Sequence, residues 1–180
     1  MNQLCCFLIL ITLQLFQSCC LKNGCQRINQ FKSTLRGNYK NVISYENGSL
    51  LISRKQNSFN GSGRFLGVLF RNEIYANSAD IKGTFCSINT SIIIQLRQNY
   101  ELNTLVLWLW DGQSRQYNLV VYASHLENET VIFDQISAQA KAIQIQFSPQ
   151  IVDKFRVYNR NGNSVSTTTN IIKAEAYYKK

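Results

Sequence analysis

The feature that most constrains this chain is a succession of short apolar runs, rich in β-branched and aromatic residues and each closed by polar turn-formers. "TSIIIQL" (90–96), "LNTLVLWLW" (102–110), "YNLVVYAS" (117–124), "TVIFDQI" (130–136), "AIQIQF" (142–147), "KFRVYN" (154–159) and "NIIKAEAYY" (170–178) follow one another. Several alternate with a period of two, as a half-buried strand requires: Ile143, Ile145 and Phe147 enclose Gln144 and Gln146, and Phe155 and Val157 enclose Arg156. Upstream, "NVISYENGSLLISRK" places two apolar pieces around Asn47-Gly48, a hairpin-type pair, and "SFNGSGRFLGVLF" leads into an apolar run from Phe65 to Phe70. No window of about 15 residues carries a helical stripe, and "QISAQAKA" has room only for a short helical turn. About eight strands at roughly 10-residue spacing predict an all-β domain, a single antiparallel sandwich or barrel. With 180 residues, 45% of them hydrophobic, and one Pro, the chain can bury a core of that kind.

Residues 1–20, "MNQLCCFLILITLQLFQSCC", hold about a dozen mostly apolar positions from Cys5 to Phe16 and then small residues. The run fits a secretory signal peptide cut near Cys20, with Ser18 and Cys20 at the small-residue positions. It is short for a bilayer span of roughly 20 residues. The stretch before it has no Lys or Arg, so a retained signal-anchor and a buried N-terminal strand stay open as alternatives. Residues 21–40 carry Lys22, Arg27, Lys32, Arg36 and Lys40 with no acid. This is a basic lead-in, solvated and partly mobile, with attraction to an anionic surface as the functional alternative. The domain proper is expected over 41–180.

Removal of residues 1–20 leaves two cysteines, Cys25 and Cys86. In a secreted chain such a pair reads as one disulfide, and the alternative is two free thiols. Four sequons begin at Asn47, Asn60, Asn89 and Asn128, and their positions in expected turns make them glycosylation candidates outside the cytosol. No CxxC motif or Cys/His cluster points to a metal, the acids build no calcium cage, and no cofactor motif appears.

From about residue 90 the order of residues resembles the discoidin, or coagulation factor V/VIII type C, domains. The variety it most resembles is the one found in BTB/POZ–kelch-like adaptor proteins. The resemblance rests on Gln95-Leu96, Leu102-Asn103-Thr104-Leu105, Leu109-Trp110-Asp111, Ser114-Arg115 and Tyr117, then on Asn161, Glu175, Ala176 and Tyr177 near the end. It covers about residues 40–178 and is specific at the turn motif. It implies a jelly-roll, galactose-binding-like sandwich that holds its ligand in loops at one end.

Between two apolar runs lies the polar knot Asp111-Gly112-Gln113-Ser114-Arg115. It reads as a structural turn: Asp111 accepts backbone N–H groups, Gly112 supplies positive φ, Arg115 folds back onto Asp111, and Trp110 and Tyr117 cover the pair. The loop expected to meet a ligand is 53–65. There Arg54, Lys55 and Arg64 supply charge, Asn57 and Asn60 hydrogen bonds, and Phe59 an apolar face. Arg160 and Asn161 form a second contact loop.

Catalysis has little support. His125 is the sole histidine, in an expected hairpin turn, and the ten acids show no paired spacing. The +9 net charge is dispersed, which argues against a nucleic-acid partner. Two functions remain. One is a non-enzymatic module, secreted or surface-displayed, that recognises a glycan or an anionic lipid headgroup and makes membrane-surface contact. The other is an interaction protein whose sandwich docks on a larger protein assembly.

Overall fold

The computed structural model describes residues 24–60, 69–71, 74, 83–139 and 141–180. The expected signal peptide, Arg64 and most of the apolar run 65–70 lie outside the described residues. A helix over residues 24–35 (α1) is followed by eight strands: β1 (Leu50–Leu51), β2 (Asn57–Asn60), β3 (Gly83–Cys86), β4 (Ser91–Leu109), β5 (Gln116–His125), β6 (Asn128–Gln139), β7 (Ala142–Asn163) and β8 (Thr169–Tyr177).

The pairing is antiparallel throughout, in the order β2-β3-β8-β4-β7-β5-β6, with β1 added on β4. Strands β4 and β7 belong to both layers. The first half of β4 pairs with β1 and with the second half of β7, which in turn pairs with β5. The second half of β4 pairs with β8 and with the first half of β7. A long β4–β7 ribbon therefore bends through residues 96–103 and 147–153 and closes the sheet on itself as a sandwich.

The bend explains why four apolar runs of the sequence are two strands. Core positions on β4 are even up to Leu102 (Ile92, Ile94, Leu96) and odd after it (Leu105, Leu107, Leu109). The change of face coincides with a break in the ladder, where the partner steps from Gln150 at Leu102 to Gln146 at Thr104 and leaves two surplus residues on β7. Pro149, the lone proline, falls in that stretch of β7, where no ladder partner needs its missing N–H. Elsewhere the alternation holds: Leu119, Val121 and Ala123 on β5, Phe155 and Val157 on β7, and Ala174 and Ala176 on β8 face the core, while Gln144 and Gln146 are exposed.

Several expectations are corrected. Within the solvated basic lead-in, where no helical stripe is expected, residues 24–35 form an exposed helix, and Arg36 Nε just after it donates to Glu101 at 2.7 Å. "QISAQ" continues β6 as strand, because Gln116 and Tyr117 give it ladder partners. Asn47-Gly48 does form a turn, with Gly48 at φ +70, but the strand after it pairs with β4 and not with the segment before it. Cys25 and Cys86 are free, not bridged: α1 holds Cys25 out in solvent while β3 turns Cys86 into the core. Burial pushes the Cys86 thiol up to about 12.

Candidate functional site

Strand directions bring five connections to one end of the sandwich: 52–56, 87–90, 110–115, the β6–β7 turn and 164–168. Side chains of asparagine and serine lock them together. Asn159, fully buried on β7, donates from Nδ2 to Cys86 O and to Thr167 O, each at 3.0 Å. Its Oδ1 accepts from Gly162 N at 2.5 Å. Gly162 sits at φ +75, and a Cβ there would overlap the main chain of Ser166 and Thr167. Asn163 Oδ1 accepts from Val165 N and Ser166 N, both at 2.9 Å, as an Asx turn does. On the other side Ile93 N donates to Ser53 Oγ at 2.8 Å, and Asn57 Nδ2 donates to Ser91 O at 3.0 Å.

The polar knot is a turn at the centre of this end, built differently from the expectation. Its left-handed residues are Gln113 (φ 66) and Ser114 (φ 51), not Gly112. Gly112 is required because a Cβ there would overlap the Trp110 ring. Ser114 N closes the turn on the Asp111 carbonyl at 3.1 Å, and the Asp111 side chain makes no capping bond. Arg115 does not pair with Asp111. The left-handed bend brings Gln113 to the guanidinium instead: Nη2 donates to Gln113 Oε1 at 2.8 Å and Nη1 to Ser166 Oγ at 3.3 Å. The same guanidinium lies 4.3 Å from the Trp110 ring centroid. Tyr117 is buried and its hydroxyl donates to Trp110 O at 2.7 Å, so with no Asp111–Arg115 pair to cover, it braces the start of the turn instead.

Among the described residues, three buried groups here have no hydrogen-bond partner: Arg115 Nε, Thr169 Oγ1 and the Asn170 amide. Asn170 adjoins the turn, since Trp110 N donates to its carbonyl at 3.1 Å. Buried polar groups are normally paired, so these mark incompletely satisfied packing beneath the turn.

The other expected contact residues divide. Arg54 and Lys55 are exposed in a short 3-10 turn at this end. Asn57 is committed to the internal bonds given above. The run 53–65 is not one loop, because residues 57–60 find a ladder partner in β3. Phe59 lies along that strand opposite Thr84, with the Arg54 guanidinium 5.9 Å from its ring. Arg160 and Asn161 form no loop of their own, because β7 runs on through Asn163: Arg160 pairs with Asp134 at 2.6 Å, and Asn161 is exposed near the end of the strand. Of the glycosylation candidates, Asn89 and Asn128 are exposed, Asn60 ends β2, and Asn47 donates its amide to Asn41 O at 2.7 Å. The 164–168 loop lies outside the expected contact loops, although "NGNSVSTTTN" has the composition of one.

No family model matches the sequence, and no curated protein matches it. Solved structures do match in shape. The family 32 carbohydrate-binding module of Clostridium perfringens NanJ, in complex with galactose, is 10% identical with a TM-score of 0.51, covering 72% of this chain and 98% of that one. The family 32 carbohydrate-binding module of Streptococcus pneumoniae EndoD is 15% identical with a TM-score of 0.52, covering 77% of this chain and 99% of that one. The fold is that of the family 32 carbohydrate-binding modules. A family 89 glycoside hydrolase from Clostridium perfringens, in complex with PUGNAc, aligns at a TM-score of 0.58 and 16% identity over 78% of this chain. The chain spans nearly all of the two free modules but 15% of the hydrolase. The galactose-binding-like sandwich implied by the discoidin resemblance is thus present.

Proposed function

We propose that this chain is a non-enzymatic, extracellular binding module that takes a glycan in the loops around Trp110. What supports the reading is the convergence at one end of the sandwich of an aromatic ring, a guanidinium stacked on it and exposed polar side chains. A sugar presents a C–H face that stacks on an aromatic ring and hydroxyls that bond to polar side chains. Gln113 and Asn161, both exposed, are the side chains we assign to hydroxyl recognition, and Arg54 and Lys55 favour acidic sugars.

The test is a titration with galactose and with uronate-terminated oligosaccharides, followed by tryptophan fluorescence and calorimetry. Gln113→Ala and Asn161→Ala are both exposed and should leave the fold intact while weakening binding about tenfold each. Arg54→Gln with Lys55→Gln should weaken the acidic ligands alone. If no glycan binds, or if binding ignores all four positions, the reading fails. Docking on a protein assembly, the role the adaptor resemblance implies, then takes its place.

A further inference from the structure

The opposite end of the sandwich carries a second surface. Helix α1 places Ile28, Phe31 and Leu35 at i, i+3 and i+7, the spacing of a single apolar stripe. A stripe of that kind normally packs on a core. Here Ile28 is 56% exposed and Phe31 69%, and the stripe opens onto a cleft of about 590 Å³ above Glu101 and Ile151.

Cations flank the stripe. Arg27 and Lys32 stand at opposite edges of the stripe, both line the cleft and neither has an acidic partner among the described residues, and residues 24–40 contain no acid. Beyond the helix the pattern continues with a half-exposed tyrosine. Tyr39 packs edge-on against Tyr178 with centroids 6.0 Å apart, and the Lys180 ammonium lies 4.8 Å from the Tyr39 ring. Apolar side chains set among long flexible cations, with a tyrosine at their border, match the boundary between lipid headgroups and acyl chains. There the rings and alkyl groups are buried and the charged ends stay in the headgroup layer. A folded protein partner would instead be met by shaped pockets and fixed acceptors.

We propose that α1 and the adjoining Tyr39–Tyr178 patch dock on an anionic lipid bilayer. The strands of β5 run from Gln116 at the loop end to His125 at this one, roughly 30 Å at strand rise, so a docked module holds its loops away from the membrane.

The experiment is co-sedimentation of the full chain with vesicles of phosphatidylcholine alone and with about 30 mol% phosphatidylserine. Wild type should partition more strongly onto the anionic vesicles, and salt should weaken the difference. Arg27→Gln with Lys32→Gln should lower that partitioning about 30-fold and leave the neutral vesicles unaffected. Phe31→Ser should lower binding to both by about tenfold. Arg54→Gln with Lys55→Gln removes the same charge from the far end, so vesicle partitioning should stay as in wild type whatever happens to glycan affinity. Equal binding to the two vesicle types, or an equal loss from the far-end pair, overturns the proposal.

Discussion

Asn159→Ala tests how the loop end is held. The substitution removes three side-chain bonds from a fully buried position and leaves Cys86 O, Thr167 O and Gly162 N to find new partners. The main-chain bonds of residue 159, from its N–H to Thr90 O and from Asn89 N to its carbonyl, survive. Cys86 O and Gly162 N are buried, whereas Thr167 O is within reach of water. An unpaired buried group costs about 1–3 kcal/mol, so the total should be roughly 3 kcal/mol. For a domain of this size the urea slope is about 2 kcal/mol/M, which turns the loss into a midpoint shift of about 1.5 M. Asn161→Ala, two residues along and exposed, should stay within about 0.5 kcal/mol. Urea unfolding followed by fluorescence measures both. A cost below about 1 kcal/mol for Asn159→Ala, or one equal to that of Asn161→Ala, would refute the idea that this amide pins the loops. Glycan affinity should fall with it, because the 87–90 and 164–168 connections lose their common anchor.

Other expectations follow from single contacts. Gly112→Ala drives a methyl into the Trp110 ring and should cost about 1–3 kcal/mol, with a shift in tryptophan emission as the ring leaves Arg115. Native-state alkylation mapped by mass spectrometry should label the exposed Cys25 quickly and Cys86 only on unfolding, since a thiol held near 12 is almost wholly protonated at pH 8. The Arg156 guanidinium, 2.9 Å from Glu129 Oε1, lowers the Glu129 pKa below 4.5. Its stabilisation is therefore complete above the ordinary carboxylate range and disappears as pH falls through the depressed value. Glu129→Gln should cost up to about 1 kcal/mol at pH 7, and stability curves of the two proteins should converge in acid.

What could be read from the sequence depended on whether the responsible contacts were local. Ile143, Ile145 and Phe147 announce a half-buried strand because the period of two is written in adjacent residues. The continuity of β4 and β7 is not written there. Polar stretches such as "RQNYE" look like loops, yet the ribbon bends through them with its ladder only shifted. Helix α1 escaped notice because its stripe has three residues and its other positions include Gly, Asn, Ser and Thr, weak helix formers. The Asp111–Arg115 pair failed for a related reason. Spacing of four brings side chains together on a helix, but this turn passes through two left-handed residues that substitute Gln113 for Asp111. The bonds from Asn159 to Cys86 and Thr167, which assemble the candidate site, span up to 73 positions and have no local signature.

The two proposed surfaces sit at opposite ends of a stiff body, and that arrangement makes a prediction of its own. The loops depend on Asn159, Asn163 and the Trp110 turn, while α1 depends on the Arg36–Glu101 ion pair and on packing beside Tyr178. No described residue belongs to both sets, and the core between them is close-packed. A ligand at one end can alter affinity at the other only if it favours one of two global states. The strands that join the ends are paired on both sides, β4 by β7 with β1 and β8 and β5 by β6 and β7, which leaves little freedom for a hinge outside the bend. Glycan affinity measured on free protein and on protein bound to anionic vesicles should therefore agree within about threefold, a coupling below about 1 kcal/mol. A larger change would mean that α1 reaches the loops through movement of the β4–β7 ribbon. The bend at 96–103, where Glu101 holds Arg36, would then be the element that switches.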